Sequence, residues 1–189
     1  GIMIATTPLV AEAYGARTPE KIATIARQSL WVALVLGIIA GLILQLLPAT
    51  LPILGVPESL QPKAGLFLHA IGFGMPAVTM YAALRGYSEA IGHPRPVTII
   101  SLMALLILIP MNYLFMYGLG PIPALGSAGC GFATAILQWM MFITLAIYIF
   151  KNKAYQSTQP LTHWEKINPY WLKRILMLGF PIGLAIFFE

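Results

Sequence analysis

Long apolar stretches, broken at intervals by short polar clusters, set the rhythm of this chain, and that rhythm predicts helices that cross a membrane. The first apolar segment runs to about Tyr14, and 15–20 follow as a turn. Thr18 is the expected N-cap there, with Pro19 at the first helical position. A second helix is predicted from about Lys21 to Leu47, with its membrane core opening at Gln28 and its end marked by Pro48 and Pro52. A third covers about Ala64 to Ala90 and carries Gly72, Gly74 and Pro76; a fourth covers Val97 to Tyr117, interrupted by Pro110. The loop 118–123 separates it from a fifth, about Gly126 to Phe150, and a sixth begins near Trp171 and is still running at Glu189. The expected fold class is therefore an all-α polytopic membrane protein, a helical bundle with four full and two partial transmembrane helices.

Charge sharpens this picture. Three charge-free runs, 28–57, 64–84 and 96–150, exceed the roughly 20 residues needed to cross a hydrocarbon core of about 30 Å. The last, 55 residues long, is too long for one span and too polar in its middle. Only 9% of residues are charged and the mean hydropathy is +0.83, against about 25% charged in a soluble domain. Of the 11 Lys and Arg, all but Lys63 fall in alternate gaps between spans. Such asymmetry places the basic side in the cytoplasm. Segments 15–27, 85–96 and 151–174 are then cytoplasmic, and 48–63 and 118–125 periplasmic. The net charge of +5 is loop charge on this reading, and no zinc spacing or aromatic-basic interleaving points to nucleic acid. The stretch 151–170 is the most soluble in character, with Trp164, Tyr170 and Trp171 suited to an interfacial belt.

Few residues offer chemistry. There is no Asp, the lone Cys130 sits among small residues, and His69, His93 and His163 are scattered. No nucleophile–base pair or phosphate-binding loop is visible, so the expectation is a non-enzyme with no cofactor. Glu189 stands out. It follows Arg174 by 15 residues, about 22 Å of helix, which puts a carboxylate well inside the slab. A charge near the bilayer centre costs roughly 2.5–3.5 kcal/mol on insertion scales. A partner, a proton or a cation such as Na+ can offset that cost, making Glu189 the candidate ion-coupling residue; the alternative is a Glu that snorkels at a helix end. Asn112 follows Pro110, and a side-chain amide beside a broken ladder can bind substrate or a cation, or restore a hydrogen bond. With Tyr113, Gln138 and Met141 it makes a candidate substrate surface, while Met and Trp at such spacing also serve simply as packing. Pro76, Pro110 and Pro181 are candidate bending points. Arg85 and Glu89, spaced i,i+4, are either a cytoplasmic gate or a solvated pair.

Five stretches, Thr7–Ala16, Arg85–Ala90, Ile109–Gly118, Gly126–Ala135 and Leu178–Glu189, in this order and spacing, resemble the multidrug and toxic compound extrusion (MATE) family, in its bacterial NorM-like branch. The resemblance covers essentially the whole chain, from the tail of family helix 2 to two-thirds of helix 7. It implies twelve helices in two six-helix lobes, with 1–150 part of the N-terminal lobe, 151–170 the cytoplasmic connector and 171–189 the start of the C-terminal lobe. It implies residence in the bacterial inner membrane as a monomer when full length. The activity implied is export of organic cationic drugs in exchange for Na+ or H+ by alternating access, with Glu189 as the acidic residue of helix 7 and Asn112 facing the first-lobe cavity. The chain is expected to be a segment of such a protein, in contact with membrane lipids and the remaining helices, and not to transport alone. Two further readings stay open: a lipid-linked precursor flippase of the same superfamily, disfavoured by spans almost free of Lys and Arg, and a non-transporting membrane scaffold.

Overall fold

The computed structural model describes residues 2–118, 124–156, 158 and 165–188, apart from the side chains of 186 and 187. Six α-helices follow one another among these residues: α1 (Thr6–Gly15), α2 (Pro19–Leu46), α3 (Gln61–Ala90), α4 (Arg95–Tyr117), α5 (Ser127–Lys151) and α6 (Pro169–Phe188). Short 3₁₀ turns at Ile2–Ala5, Leu47–Thr50 and Lys153–Tyr155 flank them. Four stretches, Pro19–Thr50, Gln61–Ala90, Arg95–Tyr117 and Ser127–Lys151, are long and apolar enough to cross a membrane. The chain is an all-α, multi-pass membrane bundle.

The helix ends depart from expectation for local reasons. α3 starts at Gln61 because Pro62 takes an early position where its missing N–H costs nothing. At α6 the Asn168 side chain accepts from Tyr170 N–H at 3.0 Å, so the helix is capped there and starts at Pro169, two residues before the expected Trp171. Thr18 takes the N-cap position with Pro19 at the first helical position, as expected, but its side chain does not make the capping bond. Its hydroxyl turns back to donate to the Ala13 carbonyl at 3.1 Å, and α2 opens without a side-chain cap.

α3 is the central helix, packed on α1, α2 and α5. Association in lipid relies on close packing of small residues, and the glycines supply it here. Pro76 cannot bond to Gly72, four residues back. The carbonyl thus released lies where a Cβ on Gly41 would come within 2.6 Å of it. One turn away, Gly37 abuts the Pro76 backbone, and Thr79 donates across to the Ala33 carbonyl of α2 at 2.7 Å. Pro76 and its glycines therefore build the α2–α3 crossing.

α4 and α5 meet through backbone. Leu125 N–H donates to the Phe115 carbonyl and Gly126 N–H to that of Met116, both at 3.1 Å. A Cβ on Gly129 would fall 2.3 Å from the Phe115 oxygen, whereas one on Gly65 would meet only the Pro48 side chain at 3.6 Å. We expect Gly129→Val to cost about 1–3 kcal/mol by overpacking and Gly65→Ala to be tolerated. Thermal unfolding of the purified full-length protein in detergent reads both. The opposite face of α4, with Leu102, Leu105, Leu106 and Ile109, is exposed and apolar, as a lipid-facing surface should be.

The basic residues gather at one end of the bundle, where long-range side-chain contacts join the ends of α1, α2, α3, α5 and α6. An aromatic knot closes that end. Ser88 donates to the His93 carbonyl at 2.7 Å, so the Tyr155 hydroxyl, 2.6 Å away, donates to Ser88. Thr158 donates to the Tyr155 carbonyl, which leaves Tyr87 to donate to Thr158. Burial pushes the Tyr155 phenol above its ordinary value and Tyr148 adds to the rise, while the Ser88 hydrogen bond opposes it. The raised folded value means that Tyr155 stabilises the knot fully below about pH 10 and loses that contribution as the pH rises further.

Candidate functional site

A cleft of about 580 Å³ opens between the Ile2–Ala5 turn, α2, α3 and α6. Its wall includes Met3, Leu36, Ile39, Met75, Thr79 and Phe180. The volume is that of a drug-sized pocket. Two thioethers and a phenyl ring give it a polarisable surface that suits a flat aromatic ligand. The Thr79 hydroxyl is engaged with the Ala33, Met75 and Pro76 carbonyls, so it stiffens the wall and leaves the lining close to purely apolar. No ionisable side chain lines the cleft among the described residues.

The α2–α3 crossing fixes one wall. The other depends on α6, whose Gly179 sits where a Cβ would come 2.4 Å from the Ile2 carbonyl. Pro181 is an exposed residue within α6, next to the cleft residues Phe180, Gly183 and Leu184. Glu189 comes five residues after Leu184 in the sequence and lies outside the described residues.

The other residues singled out by the sequence do not line this cleft. Asn112 is half-buried on α4, and its side-chain carbonyl oxygen is fully enclosed without a hydrogen-bond partner. Such a group costs about 1–3 kcal/mol when left unpaired. Among the described residues no hydrogen bond from Asn112 repairs the ladder that Pro110 interrupts. Tyr113 is 61% exposed and meets Tyr117 in a tilted ring contact, with centroids 4.9 Å apart. Gln138 is half-buried on α5, and Met141 packs against the main hydrophobic core. Arg85 donates to Glu89 at 2.8 Å within α3, with Arg85 exposed and Glu89 half-buried.

Sequence reasoning missed the contacts that tie α6 to the rest. Arg27 pairs with Glu165, and Arg174 pairs with Glu12 at 3.0 Å. The one available signal was Gln28, a polar residue opening a 30-residue charge-free run. A second cavity, about 590 Å³, opens at the basic end beside Tyr14, Arg17 and His93. The Arg17 guanidinium makes it a poor seat for an organic cation. No group of three or more His, Cys, Asp or Glu among the described residues could hold a metal ion.

A membrane bundle with a basic end and an apolar, drug-sized cleft has the form of a secondary transporter lobe, and the sequence comparisons give its family. The MatE family model matches residues 1–114, and the chain belongs to that family of multidrug and toxic compound extrusion transporters. It is 78% identical over 188 residues to the probable multidrug resistance protein NorM of Acinetobacter baylyi, covering 100% of this chain and 42% of that protein. The solved structure of the MATE transporter NorM-NG, determined in complex with a monobody, superposes with a TM-score of 0.80 at 33% identity, over 99% of this chain and 41% of that one. The inward-facing conformation of a multidrug resistance MATE family transporter gives 0.83 at 20% identity, over 96% of this chain and 40% of that one, a likeness of fold. The chain thus spans about two-fifths of the length of the relatives it matches.

Proposed function

We propose that these residues form part of a secondary active exporter of organic cationic drugs, driven by inward Na+ or H+ through alternating access. The observation that carries this reading is the apolar cleft of about 580 Å³ with no Lys or Arg in its wall. A hydrophobic cation gains from such a surface, whereas the pyrophosphate of a lipid-linked precursor would need basic partners. The names of the relatives, multidrug resistance proteins, point the same way.

On this reading 1–150 belong to the first lobe, 151–170 bridge the lobes on the cytoplasmic side, and 171–189 open the second lobe. Glu189 carries the coupling ion. Asn112, with its unpartnered oxygen, is a candidate substrate contact together with Tyr113, Gln138 and Met141. The test uses a full-length transporter carrying this segment in proteoliposomes. Ethidium should leave against its gradient when an inward Na+ or an inward H+ gradient is imposed separately, and the responsive gradient names the ion. Efflux indifferent to both gradients would overturn the reading.

A further inference from the structure

Arg27, Gln28 and Trp31 lie within two turns of α2, and all three hold the short stretch that leads into α6. Arg27 pairs with the Glu165 carboxylate, and the Trp31 indole donates to the Glu165 carbonyl at 3.2 Å. Gln28 uses both ends of its amide: Nε2 donates to the Lys166 carbonyl and Oε1 accepts from Asn168 N–H, each at 2.9 Å. Gln28 is fully buried. It satisfies two backbone groups of a non-helical strand, groups that pair with protein when shut away from water. Asn168 in turn caps α6.

Five residues beyond Pro169, α6 meets α1 through a contact of another kind. Arg174 Nη2 lies 3.2 and 3.0 Å from the two Glu12 carboxylate oxygens. The Glu12 side chain is 67% exposed and that of Arg174 36%. An exposed ion pair exchanges easily with water, whereas a buried amide satisfied at both ends, as that of Gln28 is, holds its geometry.

We propose that the Arg27–Gln28–Trp31 turn is a fixed pivot for the first helix of the second lobe, and that Glu12–Arg174 is the breakable tie that closes the basic end. The proposal rests on the exporter reading, because alternating access requires the second lobe to rock against the first. A helix rocking about its capped N-terminus moves little at Asn168 and more with each turn beyond it, so the ion pair at Arg174 has to part along with the Gly179–Ile2 packing further along the helix. Arg27, Gln28 and Trp31 are positioning residues on this view, since none of them lines the cleft.

The experiment cross-links each contact in the full-length transporter on a cysteine-free background. One variant carries Gln28→Cys with Asn168→Cys, the other Glu12→Cys with Arg174→Cys, and both receive a short reducible thiol cross-linker. Gradient-driven efflux should survive the first cross-link and be lost with the second, returning on reduction. Loss with the pivot linked, or retention with the tie linked, overturns the proposal. Export by the same variants before linking tests the exporter reading by itself. Should the pivot variant fail to fold, hydrogen exchange on the unmodified transporter decides: the Asn168 amide should stay protected both with and without the driving gradient. Its release in either condition overturns the pivot.

Discussion

Glu189→Gln in a full-length transporter carrying this segment is expected to cut gradient-driven efflux on the order of 100-fold. The residue belongs to the chain that continues from Phe180, Gly183 and Leu184, three residues of the cleft wall. On the proposed reading its carboxylate sits inside the hydrocarbon slab, where a bare charge costs roughly 2.5–3.5 kcal/mol and a proton or Na+ offsets it. Ion uptake is then tied to the state of the interior, which is what coupling requires. Gln keeps the size and the hydrogen-bonding capacity and removes the charge, so neither ion has reason to bind. At about 1.4 kcal/mol per factor of ten, the lost interaction corresponds to roughly 100-fold. Arg85→Gln is the matched control. Arg85 is itself exposed and its partner Glu89 lies one turn away on the same helix, so efflux should stay near the parental level and stability within about 0.5 kcal/mol. Undiminished coupled efflux in Glu189→Gln would remove that residue from the mechanism.

The spans were legible because bilayer thickness imposes their length and the basic loops mark their ends. The misplacements, at Pro62 and Asn168, arise where a cap or an early proline extends a helix into what reads as loop. Thr18 shows the limit of a short motif: the same hydroxyl can cap forward or bond backward, and the Ala13 carbonyl took it. The prolines were visible as interruptions, but the packing role of Pro76 needs Gly37 and Gly41 on the facing helix. The positions of Gln138 and Met141 were unreadable for a different reason. Most residues of α5 are apolar, so hydropathy by itself does not say which face meets a neighbour and which meets lipid. The socket for the connector lay furthest from view, because Arg27 and Glu165 are 138 residues apart and neither sits in a motif.

That socket makes the second large prediction, an asymmetry between the two halves of one ion pair. The Arg27 side chain is 14% exposed and its Nε is buried without a partner, while the Glu165 side chain is 39% exposed. Removing the acid strands a buried guanidinium, at a cost of about 3–5 kcal/mol. Removing the base lets Glu165 turn to water, and Arg27→Met keeps most of the volume, so its cost should stay below about 1.5 kcal/mol. Thermal unfolding of the full-length protein in detergent should therefore rank Glu165→Ala well below Arg27→Met. The Trp31 and Gln28 hydrogen bonds go to connector backbone and persist in both variants, which confines the difference to the charge. Adding Arg27→Met to Glu165→Ala should then recover most of the loss, because a buried pair replaced whole by apolar groups is often neutral. Equal costs for the single variants, or no recovery in the double, would mean that Arg27 reaches water and that the socket is held by its hydrogen bonds alone.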